Sequence, residues 1–263
     1  MRKLEDINEL HNIQLEMMEQ FDKLCKEEGL TYFLAGGTLL GAIRHKGFIP
    51  WDDDVDLSMP RPDYEKLMSL GKNHPEKFGF LSLTQIGDGT NYPLPFAKIE
   101  NTKTVIKKGD KSQGGLFIDI FPIDGYGDNK DNAKMLIRKA CDSGCRIGRT
   151  FLPWSELKFK TALCKVLYIL KGREKMYKDL IMNLQKNDFY KSEYIGSTFG
   201  LRCEKEIIER WTFETTIELP FEGKMFMAPK GYDQYLTQMY GNYMELPPVE
   251  KRVAPHEFDV YVK

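Results

Sequence analysis

Long apolar runs are missing from these 263 residues. None approaches the roughly 20 residues that span a bilayer, so a soluble protein is expected. Charge of one sign is missing too. Lys and Arg number 38 against 39 Asp and Glu, a formal net charge of −1. A generic nucleic-acid coat needs a basic face, so no nucleic-acid partner is expected. The five cysteines, Cys25, Cys141, Cys145, Cys164 and Cys203, contain no CxxC pair. Cys141 and Cys145 lie one helical turn apart, but no companion His or Cys pair completes a zinc pattern. Idle or buried thiols fit a reducing, cytoplasmic compartment. The opening segment MRKLEDINEL carries acids where a secretion signal needs an apolar centre, so no secretion is expected. Internal repeats and low-complexity tracts are also absent, and the length suits one large domain or a catalytic domain with an appendage.

What is present is strongly patterned. Leu4, Ile7, Leu10, Gln14, Met17, Phe21 and Leu24 recur at spacings of three and four, which predicts an amphipathic helix ended by Gly29. TYFLAG reads as a short buried strand, followed by a glycine pair and a helix through TLLGAIRH. VDLSM is a second strand, and RPDYEKLMSL a helix with Pro62 in its first turn. FGFLSLTQI, YPLPFAKIE, TKTVIK and GLFIDIF supply further strands between glycine, proline and asparagine turns. Residues 129–187 turn helical. The tail adds a β-like stretch, WTFETTIELPFEGKMFMA, then a short helix in GYDQYLTQMYG and a proline turn in LPPVEKR. An α+β fold is expected, with a mixed-sheet catalytic core over residues 1–128 and a helical lobe over 129–190. Residues 191–263 would pack back on the core.

The acids of DDDVDLSM pose the functional question. In an extended segment alternate residues share a face, and each rises about 3.3 Å. Val55, Leu57 and Met59 take one face; Asp54, Asp56 and Ser58 take the other. Two carboxylates about 6.6 Å apart at their α-carbons can converge on one or two metal ions. Asp52 joins them if the strand begins early, whereas Asp53 points away. A solvated acidic turn is the plain alternative. GLFIDIFPID then drops Asp119 into a continuous apolar run, where an unpaired carboxylate costs several kcal/mol. If that strand neighbours VDLSM, three carboxylates meet. Their mutual repulsion raises their pKa values unless a cation compensates, most simply Mg²⁺, as one ion or two, with Mn²⁺ as substitute. Asp124, after Pro122, is read as a loop residue with either a turn or a site role.

Gly36 and Gly37 stand between a strand and a helix, where backbone can approach a ligand and free N–H groups can meet an anion. Thr38 could add its hydroxyl. Arg44, His45 and Lys46 follow that helix, and Lys98 interrupts another strand. Cations beside a metal–carboxylate centre can hold a phosphate chain and balance charge on a leaving group. Each also has a plain reading as a solvent-facing base.

Three stretches together, GGTLLGAIRHKGFIPWDDDVDL, FIDIFPIDG and YGNYMELPPVEKR with a following histidine, resemble the LicD family of phosphocholine transferases, whose signature fukutin-related proteins share. The resemblance runs across most of the chain; residues 129–190 carry little of it. It implies a nucleotidyltransferase-like fold with Gly36 and Gly37 before an Asp54–Asp56 strand, and Asp119 on a neighbouring one. It also implies a CDP-alcohol donor, usually CDP-choline, and a sugar hydroxyl on a cell-surface glycan precursor of lipopolysaccharide or teichoic acid type, free or lipid-linked.

On that reading Asp54, Asp56 and Asp119, with Asp52, hold Mg²⁺ against the donor pyrophosphate. Gly36, Gly37 and Thr38 position it, and Asp119 is a ligand or the base for the acceptor hydroxyl. Arg44 and Lys98 meet the departing phosphate; His45 and Lys46 are further binding candidates. A quaternary ammonium needs an aromatic cage. Trp51 is its first candidate, and Tyr92, Tyr126, Tyr240 and Tyr243 are later ones. Arg252 and His256 match the closing motif, as substrate contacts or as a clamp on the core. A nucleotidyltransferase, a transferase for CDP-glycerol or CDP-ribitol, and a non-catalytic glycan-binding protein remain alternatives. Residues 157–178 mix apolar and basic positions, which suits either a helix resting on the inner face of a membrane or ordinary core packing with lysines at the rim.

Overall fold

The first helix starts and stops where side-chain chemistry tells it to. After a two-residue strand, β1 (Arg2–Lys3), helix α1 (Ile7–Glu28) begins at Asp6, whose carboxylate accepts from the Asn8 N–H. It ends at Gly29, left-handed at φ 62°. Its buried face carries Leu10, Met17, Phe21 and Leu24, but also the polar His11 and Gln14. The structure, a computed structural model, describes residues 1–85, 92–109, 111–112, 114–154, 159–200, 202–254 and 258–263.

Next along the chain come β2 (Phe33–Leu34), α2 (Gly36–Arg44), β3 (Asp56–Pro60), α3 (Arg61–Asn73), β4 (Leu81–Thr84) and β5 (Ala97–Asn101). They are followed by β6 (Thr104–Lys108), β7 (Lys111–Ser112), β8 (Phe117–Gly125), α4 (Lys130–Arg149), α5 (Phe159–Lys171) and α6 (Arg173–Leu184). The tail holds β9 (Tyr194–Ser197), β10 (Ile208–Glu209), β11 (Thr216–Phe221), β12 (Lys224–Pro229), α7 (Tyr232–Tyr240) and β13 (Asp259–Val262). The fold is α+β. Among the described residues no helix is long and apolar enough to cross a membrane.

The chain divides into two compact units, one of Met1–Leu83, Lys98–Ile120 and Trp211–Lys263, the other of Thr84–Ala97 and Phe121–Arg210. In the first, β2 pairs antiparallel with β3, Phe33 opposite Ser58 and Leu34 opposite Leu57. β3 neighbours β8, and the Asp119 N–H donates to the Val55 carbonyl at 3.0 Å. Alternation holds on both strands. Val55, Leu57 and Met59 are buried, as are Ile118 and Ile120, while Phe117 and Asp119 are only partly so. A second sheet orders β1, β13, β6 and β7, so the last strand pairs with Thr104–Lys108. β11 and β12 form a hairpin whose two turn residues, Glu222 and Gly223, both have positive φ, as a tight right-twisted hairpin requires.

In the second unit α4 starts at Asn129, which accepts from the Asn132 N–H. Its stripe of Ala133, Ile137, Ala140 and Ile147 shares one apolar cluster with Leu180 and Leu184 of α6. Asp124, expected on a loop, lies instead within β8 and is wholly buried. It accepts from the Thr198 hydroxyl at 2.5 Å, and Thr198 in turn lies 2.6 Å from the Tyr126 hydroxyl. Thr198 has one proton to give, so Tyr126 donates to it. This chain of hydroxyls holds Asp124 within the strand.

Glu206 is also buried in this unit, and burial pushes its carboxyl up to about 7. The folded state therefore keeps a proton that the unfolded chain releases near 4.5. Stability should be full below that pH and fall as pH rises to about 7, by about 3 kcal/mol in all. Denaturant melts from pH 4.5 to 7.5 should show a Glu206→Gln variant lacking this decline; parallel curves would contradict the assignment.

Candidate active site

Where Asp119 sits is decided by backbone pairing. Its N–H bonds to Val55, whose chain neighbours are Asp54 and Asp56, so the acid of one strand lies beside the acids entering the other. β3 begins only at Asp56. Asp52, Asp53 and Asp54 thus lie in the connection before it rather than on an early extension of the strand. That connection folds so that their carboxylate oxygens come within 4.8 Å of one another. Asp53, expected to point away, is buried and belongs to this group. Period-two alternation does not apply where the backbone is not extended.

The glycine pair faces these acids. A Cβ on Gly36 would stand 2.8 Å from Asp56 Oδ2, and one on Gly37 would stand 2.6 Å from Asp52 Oδ2. Gly36 also has φ 50°, which side chains disfavour. The pair makes room for the protein's own carboxylates, a reason for it beyond any approach of ligand to backbone.

Asp56 keeps part of its residue surface exposed, yet its carboxyl is enclosed. Desolvation, then the charges of Asp54, Asp119 and Asp52, push its pKa well above the usual carboxylate range. Lys98 opposes the shift. The Lys98 ammonium lies 3.2 Å from Asp119 Oδ1 and 3.0 Å from the centre of the Phe117 ring. Burial lowers its own pKa, against the pull of Asp119. Several carboxylates within electrostatic reach of one ammonium leave an excess of negative charge. All-oxygen donors with such an excess suit a hard divalent cation. Asp52, Asp53 and Asp54, whose oxygens lie within 4.8 Å of one another, fit such a cation, and the charges of Asp56 and Asp119 act on the same place.

Two residues that hold the acidic connection escaped the sequence reading. Gln14 donates to the Asp53 carbonyl at 2.9 Å, and His11 Nε2 lies 2.7 Å from the Asp52 carbonyl. The His11 ring stacks flat on Phe48 at 4.1 Å. Gln14 sits in the apolar stripe of α1, and a buried amide there was the available signal. Thr38 Oγ1 accepts from the Asp56 N–H at 2.9 Å, so it pins the strand entry. Glu222 secures the preceding turn: its N–H donates to the Lys46 carbonyl, and its Oε1 accepts from the Phe48 N–H. Lys46 itself is left-handed at φ 60°.

The remaining basic candidates gather elsewhere in this unit. Arg44 donates to the Tyr243 and Glu245 carbonyls and through Nε to His45. Burial, then the nearby Arg252 charge, lowers its pKa. Arg252 lies 5.5 Å from the centre of the Trp51 ring and donates to the Pro247 carbonyl; His45 meets Trp51 edge-on. Arg44 is thus committed to the tail, which is a clamp, and a guanidinium already covers Trp51. Tyr126 is buried in the other unit with its hydroxyl engaged, and Tyr243 donates to Asp233. His256 lies outside the described residues.

Fold and site together define a nucleotidyltransferase-like phosphotransferase, in which clustered carboxylates stand against a glycine-led helix. Residues 29–142 match the family model described as LicD/FKTN/FKRP, nucleotidyltransferase domain. The whole chain aligns with the lipopolysaccharide cholinephosphotransferase LicD of Haemophilus influenzae at 32% identity, covering 100% of both. A stretch of 31 residues is 61% identical to the human ribitol 5-phosphate transferase FKRP, 12% of this chain and 6% of that one. An uncharacterised protein of Rickettsia prowazekii is 40% identical over 55 residues, 21% of each chain. The chain belongs to the LicD family and is a phosphotransferase.

A methyl group at Gly36 should displace the Asp56 carboxylate. Gly36→Ala should therefore keep its helical circular dichroism and lose roughly 100-fold in phosphotransfer rate, the scale of a misplaced catalytic group. A wild-type rate would show that the crowding is irrelevant.

Proposed function

We propose that the enzyme moves phosphocholine from CDP-choline to a sugar hydroxyl of a cell-surface glycan precursor, of lipopolysaccharide or teichoic acid type, and releases CMP. The observation that carries this reading is the group of Asp52, Asp54, Asp56 and Asp119, with Lys98 beside it. Phosphocholine as the group moved and lipopolysaccharide as the acceptor class follow the full-length relative; CDP-choline is the donor expected of the family. Free thiols at Cys25, Cys141, Cys145 and Cys203 support a reducing, cytoplasmic setting.

In the proposed reaction the acceptor oxygen attacks the phosphorus that bears choline. A new P–O bond forms to the sugar, the P–O bond to CMP breaks, and the hydroxyl proton passes to a carboxylate. Asp119 is that base, its basicity restrained by Lys98 at 3.2 Å. Lys98 also faces the charge that collects on the departing phosphate. Asp54, Asp56 and Asp52 hold Mg²⁺, which, when bound, supplies the positive charge that a pyrophosphate needs to come near them. Gly36 and Gly37 leave the N–H groups at the start of α2 open to the donor. Trp51, His45 and Arg252 form a basic and aromatic patch for its remaining groups, while Arg44 keeps the tail against α2.

Ribitol phosphate from a CDP-alcohol is a second reading, favoured by the 31-residue match to the ribitol transferase. A donor screen divides the two. With Mg²⁺, CDP-choline should release CMP faster than CDP-ribitol or CDP-glycerol, EDTA should stop it, and Asp119→Asn should lower the rate roughly 1,000-fold. Pyrophosphate release from ATP with nucleotide left on the acceptor, or equal CMP release from the variant, would overturn the proposal.

A further inference from the structure

Helix α5 is built inside out. Leu163, Val166, Leu167 and Leu170 follow the i, i+3, i+4, i+7 spacing of a single helical stripe, and they are 57, 41, 56 and 78% exposed. Lys165, across the helix from that stripe, is 5% exposed. Its ammonium reaches the Leu152 carbonyl and lies 4.5 Å from the centre of the Trp154 ring. A helix facing water would bury its leucines and release its lysine. Trp154 and Met182 add exposed apolar surface in the same unit.

The charge beside this stripe is of one sign. Residues 157–173 contain five Lys and Arg and no Asp or Glu; Lys165 and Arg173 turn to the protein, and Lys171 is exposed. Lys175 and Lys178 at the start of α6 are exposed, and Glu174 and Asp179 are the acids among them. A second copy of the chain would bring two such cationic stretches together across a twofold contact, which is repulsive. At 13 residues α5 is too short to cross a bilayer. An exposed aliphatic stripe, flanking cations and an exposed tryptophan suit a surface that is apolar within and anionic at its rim.

We propose that α5 lies in the plane of an anionic phospholipid membrane, its leucine stripe in the acyl boundary and Lys171, with Lys175 and Lys178 of α6, among the phosphate headgroups. This stands apart from the identity of donor and acceptor. Leaving water buries the stripe without any partner protein, and the headgroups neutralise the cations.

Vesicle co-sedimentation of the full chain tests it, using phosphatidylcholine alone or mixed with phosphatidylglycerol. The protein should sediment with the mixed vesicles, far less with phosphatidylcholine, and less again as salt rises. A Leu167→Glu, Leu170→Glu double variant should bind the mixed vesicles roughly tenfold or more weakly. Lys171→Glu should weaken the binding less and reduce its salt dependence. Both variants should keep the wild-type melting curve and CMP release. The proposal is overturned if the wild type stays in the supernatant, if the double variant binds equally, or if light scattering finds a dimer that the double variant splits.

Discussion

Like charges gathered where water is scarce are the constraint that the first unit is organised around. A carboxylate there costs several kcal/mol, and each further one raises the cost. The chain nevertheless places Asp119 beside Val55 by a backbone hydrogen bond, and so beside Asp54 and Asp56. It then adds Asp52 against Gly37. The Lys98 ammonium, 3.2 Å from Asp119, offsets part of this repulsion, and a divalent ion is the proposed counterweight for the rest.

Much of the surrounding structure serves to stop the acids from moving apart. Gln14 and His11 of α1 grip the backbone of the acidic connection, and Thr38 of α2 grips Asp56. Glu222 of the β11–β12 turn grips the residues before it. Three separate elements thus hold residues 46–56 through their main chain. Arg44 does similar work at the other end of α2 by binding the carbonyls of the tail. A family member that transfers a phosphate group needs such rigidity, because a small displacement of a reacting group can lose much of the rate.

How much of this was legible depended on whether the signal was local. The alternation of Val55, Leu57 and Met59 and the stop at Gly29 could be read directly, since strand and helix periods are properties of neighbouring residues. Asp119 stood out because a carboxylate in an apolar run demands an explanation. The behaviour of Asp53 could not be read, for the strand starts at Asp56 and a folded connection obeys no period. Gln14 was hidden in plain view. Its partner lies 39 residues away, and a polar residue in an apolar stripe does not announce what it will meet. The commitment of Arg44 to carbonyls about 200 residues downstream had no local trace either. Asp124 misled for the opposite reason: proline suggested a loop, whereas the strand continued and the Thr198 hydroxyl holds Asp124 within it.

The central claim is that these carboxylates share a divalent ion. Diffraction from crystals soaked in Mn²⁺, read by anomalous scattering, tests it most directly. The account predicts a peak about 2.1 Å from oxygens of Asp52, Asp54 and Asp56, with Asp119 beside it rather than bound to it. A peak held by other residues, or none at concentrations that support turnover, would contradict it.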